Sequence, residues 1–310
     1  METPNHSLIF PLSVIGALCG AQPAWATPLL GSELASFTVL GASTVTNVPT
    51  SVIAGNVGVW SDGGAHAITG FLSAPGVAVA DPQVTGGAVH AGTTTGSPNA
   101  QRAQAQLVSA MSLLGSLGPG TLLTADMAGL TLFPGVYTVP AGTTNLSGTV
   151  TLDGQGNANA VWVFQMASTL ITSPHSVVNV LNTGSGAGLY WNVGSSATLD
   201  TDTTFMGNIL APASISLNAG ASDLCGRTLA QTGAVTLIQN SLSGICAGDL
   251  LGSQGLSGGL DVTTTPAGDS VVSLLPFAPL GSNGSIPEPA TLALLGLGFA
   301  GLGWSRRRHP

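Results

Sequence analysis

One strand is written three times in this chain. Ser196-Ala197-Thr198-Leu199, Ser214-Ile215-Ser216-Leu217 and Ala234-Val235-Thr236-Leu237 stand 18 and then 20 residues apart. Between them run Phe205-Met206-Gly207-Asn208-Ile209-Leu210-Ala211 and Leu224-Cys225-Gly226-Arg227-Thr228-Leu229-Ala230, again 19 apart. A repeat of this length with no helix inside it cannot bury its apolar side alone and must stack on its neighbours. The spacing therefore predicts an all-β chain wound as a β-solenoid, with three short strands per coil. Period-2 alternation assigns the faces. Ala197, Leu199, Ile215, Leu217, Val235 and Leu237 should point inward, and Ser196, Thr198, Ser214, Ser216, Ala234 and Thr236 outward. Stacked coils would place each outward residue ~4.8 Å from its equivalent, as a ladder of small hydroxyl side chains.

The composition excludes whole classes of function. From Thr27 to Ser285 the basic residues are Arg102 and Arg227 alone, against eleven acids. Nucleic acid is ruled out as a partner, because neutralising phosphates takes clustered Lys and Arg. With 44 Gly in 310 residues and 44% hydrophobic residues, the middle of the chain is turn-rich yet able to form a core.

A helix interrupts the pattern. Ser97-Pro98 reads as an N-cap followed by proline in the first turn. Ala100, Ala103, Leu107, Met111, Leu114 and Leu117 then recur at helical spacing until Gly118-Pro119-Gly120. The expectation is one amphipathic helix over about 98–117, its stripe buried against a solenoid face, with Ile209, Leu210 and Leu229 as candidate partners. Cys225 and Cys246 lie 21 residues apart, close to one coil, which would bring their Cα atoms within reach of a disulfide. In an exported protein such a pair bridges, and here it would pin the last coil against fraying.

Both termini point to export. Leu8–Gly20 is an apolar run ending in Ala24-Trp25-Ala26, so residues 1–26 read as a signal peptide and the mature chain as starting at Thr27. At the other end stand Pro287-Glu288-Pro289, an uncharged stretch Ala290–Trp304, and Arg306-Arg307-Arg308. Residues 286–310 resemble the PEP-CTERM sorting signal of Gram-negative bacteria that make exopolysaccharide. The resemblance implies cutting by a membrane peptidase near the proline pair, and release or re-anchoring outside the cell. At 15 residues the uncharged stretch is shorter than the ~20 of a comfortable span, so the transmembrane anchor it suggests is transient. Gly296, Gly298 and Gly301 match a dinucleotide fingerprint but lie inside that stretch with no βαβ unit around them. Residues 248–285, rich in Gly, Ser, Leu and Thr, read as a flexible spacer.

Several segments resemble the microbial ice-binding proteins. They are Phe37–Asn47, Gly55–Val59, His90-Ala91-Gly92, Gly129–Tyr137, Asn159–Gln165, Val193–Leu199 and Gly226–Leu237, in the family's order over about 29–245. The resemblance implies a right-handed, discontinuous β-solenoid domain over 27–247 with the helix along one face, in which the N-terminal strands and the later coils complete one stack. It also implies adsorption to ice through a flat, charge-poor face. The family's Thr-Ala/Gly-x-Thr/Asn stretch reads here Thr201-Asp202-Thr203-Thr204, and in the next coil Ala219-Gly220-Ala221-Ser222, which implies modest activity or none. Candidate ice contacts are Ser196, Thr198, Thr201, Thr203, Ser214, Ser216 and Thr236.

Catalytic and metal readings are poor. His66, His90 and His175 lack ligand spacing, and Asp153–Asn157 resembles a calcium loop but has Phe164 where the closing glutamate belongs. Neither a nucleophile–base pair nor an acid cluster with basic partners stands out, so no enzyme and no cofactor is expected. Two readings remain. One is a secreted or surface-attached ice-binding protein. The other is an exopolysaccharide-matrix or adhesion protein using the same fold.

Overall fold

A computed structural model describes residues 27–61 and 67–281. The expected signal peptide (1–26), His66 and the sorting segment 286–310 with its apolar stretch lie outside the described residues. Among the described residues no helix is long and apolar enough to cross a membrane.

Each coil visits three walls. One wall, against the helix, runs from Val89–Ala91 through Asn56–Val59, Phe37–Gly41, the ends of Ser222–Ala230 and Thr204–Ala211, Gly188–Asn192 and Val161–Met166 to Gly135–Val139. A second runs Leu170–Ile171, Ala197–Leu199, Ile215–Leu217, Val235–Ile238, Thr44–Val48, Ala67–Thr69. The third holds Thr149–Asn157, Val177–Thr183, the starts of the two long strands, Ser241–Ser243 and Val52–Ala54. Pairing along all three walls is parallel, as winding in one sense demands. Each long strand turns the corner between the third wall and the helix wall. In Thr204–Ala211 the turn falls at Gly207, φ 104°, where a Cβ would stand 2.4 Å from Leu189.

The stack is discontinuous, as the resemblance implied. Phe37–Gly41 pairs with Ser222–Ala230, Thr44–Val48 with Val235–Ile238, and Val52–Ala54 with Ser241–Ser243. The first coil is thus laid on the last. This alters the role of the cysteines. Cys225 and Cys246 are bridged, with Cα atoms 4.6 Å apart, but their coil is covered by the N-terminal strands. The bridge braces an internal seam and not a fraying end.

The six residues assigned inward are all buried. They join an interior that also holds a run of rings, Tyr137 stacked on Phe164, Phe164 on Trp191 (4.2 Å), and Phe205 tilted against Trp191. Aromatic contacts of this kind stiffen a core beyond their buried area.

The helix spans Ala100–Ser116. Its N-cap is Asn99, whose side chain accepts from the Arg102 amide, so the Ser97-Pro98 start is corrected by two residues. Ala100, Ala103, Leu107, Ala110 and Leu114 are buried with Leu210 and Leu229, but Ile209 faces the solenoid interior. Phe37, Leu40, Val161, Val163 and Tyr190 complete the contact. Gln104 donates to the carbonyls of Gly41 and Ala230, tying the helix across the seam. Burial raises the Glu33 carboxyl, but the Arg102 guanidinium at 2.6 Å and the Asn99 amide more than offset it, leaving it below the usual range.

Residues 248–281 correct the expected spacer. Leu250 and Leu256 are buried in the solenoid core, and the hairpin Leu260–Thr264/Ser270–Leu274 packs Leu260 and Val272 against the helix cluster. Arg227, 2% exposed, donates to Ala35, Gln254 and Asn208 and so ties both ends of the chain to the stack. The composition suggested flexibility because small residues dominate, and backbone hydrogen bonds do the anchoring instead.

Candidate functional site

The second wall carries a continuous outward row. Ile171 pairs with Thr198, Thr198 with Ser216, Ser216 with Thr236, Thr236 with Thr46, and Thr46 with Thr69. Five hydroxyls in successive coils, ~4.8 Å apart, make a rail of roughly 20 Å. Alternation explains it, since Ala197, Ile215, Val235, Val45 and Ile68 occupy the inward positions beside them. Among the described residues none of these five hydroxyls is committed to a protein hydrogen bond, so each is free for water. Threonine's branched Cβ holds its rotamer, which fixes methyl and hydroxyl together.

The other sequence candidates fall around this row. Ser196 sits beside it, half-buried. Ser214 also lies beside it, but its hydroxyl accepts from the Ala234 amide. Thr201 is on the corner turn, its amide held by Asp200. Thr203 is a correction, being fully buried with its hydroxyl 2.9 Å from that of Thr172. The turn between the walls breaks the alternation, because Asp202 takes φ 54° and shifts the phase by one. Thr204, not Thr203, is the exposed residue there. Thr46 and Thr69 were missed. Thr44-Val45-Thr46 alternates like the three repeats, but only the discontinuous topology places it in their row.

The third wall offers a less regular row of Thr149, Val177, Thr204, Ser222, Ser241 and Val52. Val52 is 57% exposed in it, and Leu224 beside it 48%. Among the described residues the charge on the second wall is confined to one edge. There Asn218 donates to Asp200 at 2.8 Å, which with the Thr201 amide holds that carboxyl below its usual range.

Among the described residues no group of three or more His, Cys, Asp or Glu could hold a metal. His90 is buried between Phe37 and Asn56, and burial lowers its pKa. Asp153 accepts from the Gln155 amide, an ordinary turn.

The comparisons agree with this architecture. Residues 39–243 match the Ice-binding-like family. An ice-binding protein of Nostoc sp. (strain HG1) is 39% identical over 243 residues, covering 78% of this chain and 83% of the relative. The chain belongs to the ice-binding-like family. Another family member, the ice-binding protein of Colwellia sp, is 30% identical over 77% of this chain and 93% of its own. The solved ice-binding protein of Antarctomyces psychrotrophicus superposes with a TM-score of 0.58 at 31% identity, over 71% of this chain and 98% of that one. A glycosylated ice-binding protein from an Arctic yeast gives 0.62 at 26%, over 72% and 95%. Residues 285–308 match the PEP-CTERM protein-sorting motif, a signal for export and surface sorting.

Proposed function

We propose that this ice-binding-like chain adsorbs to ice through the second wall, using Thr198, Ser216, Thr236, Thr46 and Thr69 with Ser196 alongside. The observation that carries the reading is the in-register row of uncommitted hydroxyls on a charge-poor wall. Charged groups hold water in their own geometry, whereas a rigid row of methyls and hydroxyls at strand spacing can order a layer of it. Relatives named ice-binding proteins support the ligand. The sorting motif supports a working place at the cell surface, with its peptidase as a transient partner and exopolysaccharide around the protein.

The test is thermal hysteresis of residues 27–281 and of three variants, at the half-buried Thr236 and Thr46 and the exposed Thr204. Thr236→Tyr and Thr46→Tyr should remove most of the activity while changing stability by no more than about 0.5 kcal/mol. Thr204→Tyr, on the third wall, should leave it intact. The reverse pattern would move the site to the third wall. A wild-type domain indistinguishable from buffer, together with retention on an exopolysaccharide column, would replace ice by matrix binding.

A further inference from the structure

A chain sorted to the cell surface through its C-terminus meets that surface near the corner its C-terminal segment leaves. Here that corner is defined. After Cys246 the chain runs along the edge between the third wall and the helix wall, where the Gln254 carbonyl accepts from Arg227 and that of Leu256 from the Leu189 amide. It leaves this edge for the hairpin and returns to it. The Pro276 carbonyl accepts from Asn159, the Ala278 carbonyl from the Ala158 amide, and the Leu280 amide donates to Gly156. Loops 158–160 and 184–187, with the end of strand Thr149–Asn157, form this corner, each loop leading from a third-wall strand to a helix-wall strand. In a three-walled coil the wall opposite that corner is the second, which bears the hydroxyl row.

Two further observations bear on how the molecule stands. The sorting motif begins at residue 285, and the last described residue is Gly281. The cut falls near Pro287–Pro289 and the apolar stretch starts at Ala290, so six to nine steps of chain, at most about 32 Å, separate Gly281 from the surface. A compact domain of about 250 residues has a radius of gyration of roughly 18 Å, so a tether of that reach keeps the exit corner within about one domain width of the surface. The exit edge is also apolar, with Ile245, Leu251, Phe277 and Leu280 at 61%, 73%, 64% and 45% exposure. Large apolar side chains exposed along one edge suit a surface that meets a membrane.

We infer that the surface-attached protein stands on the corner formed by loops 158–160 and 184–187, with the Thr/Ser wall turned away from the cell. The orientation rests on the sorting reading and not on what the outward wall binds. Ser185 lies exposed in the corner loop, and Thr46 lies in the outward row. The experiment compares Ser185→Cys and Thr46→Cys in the full-length chain, labelled with a bulky PEG-maleimide on intact host cells and after detergent release. Attachment should slow labelling at Ser185→Cys several-fold and leave Thr46→Cys unchanged. Equal slowing, or greater slowing at Thr46→Cys, would overturn the orientation, as would recovery of the chain in the medium alone. Hysteresis of the released protein reads the ice-binding proposal separately, so one can fail without the other.

Discussion

Asp223 shows what one side chain can do to the pH response of such a fold. It lies 1% exposed on the inward side of its strand, level with Phe205 and Leu242. Burial pushes its carboxyl up to about 8, against the pull of the Cys225 and Gly207 backbone and of Arg227. Those backbone groups lie close to the carboxyl, but neither oxygen receives a bond of full hydrogen-bonding geometry. The folded chain therefore holds a proton that the unfolded chain releases near pH ~4. The stability linked to this group is complete below that value and is lost as pH rises toward about 8. Asp223→Asn should flatten the dependence of melting temperature on pH across that window. At about pH 9 it should raise the melting temperature by roughly 3–8 °C. A variant with the wild-type slope would show that another group sets the response. At the same scale, alternation within the repeats located Thr198, Ser216 and Thr236, yet failed one turn later at Thr203. Counting by twos holds only while the backbone stays extended, and nothing in Thr201-Asp202-Thr203-Thr204 announces that Asp202 takes a positive φ.

Strands and their pairing govern the next scale. The repeated strands, the helix and the cysteine pairing were all legible, because each depends on local period or on one coil length. The place of the bridge was not, since it depends on which strand lies beside the last coil. Cys225 and Cys246 stand where strand 222–230 and strand 241–243 receive Phe37–Gly41 and Val52–Ala54. Closing a loop of 21 residues is worth about 3 kcal/mol in the chain-entropy model. Reduction should lower stability by about that amount. It should also expose the amides of 37–54 and 222–246 to hydrogen exchange together, ahead of the coils at 149–192. Loss of protection in 222–246 alone would mean that the seam does not open as a unit.

At the scale of the whole molecule, the boundary of the folded unit lies beyond the repeats. Its last part has no periodicity, because residues 248–281 attach by backbone carbonyls to Arg227 and Asn208 and by single apolar contacts. Ending the chain at residue 247 removes the acceptors Gln254 and Gly255 from the buried Arg227 and uncovers Leu229 and the helix. Breaking a buried charge from its partners costs about 3–5 kcal/mol, a large share of a domain's stability. The 27–247 fragment should therefore melt far below the 27–281 fragment, or be recovered aggregated. Equal melting temperatures would restore the view of this segment as a passive linker.

Laying the first coil on the last also has a consequence in time. Phe37–Gly41 emerges early from the ribosome, but its neighbour Ser222–Ala230 is made almost two hundred residues later. Val52–Ala54 waits equally long for Ser241–Ser243. Contacts this distant in sequence form late and slowly. The nascent chain therefore has no means of closing its stack until nearly all of it has been synthesised. Its own topology thus keeps the polypeptide loose while it is being made, and the act of completion falls to the finished chain.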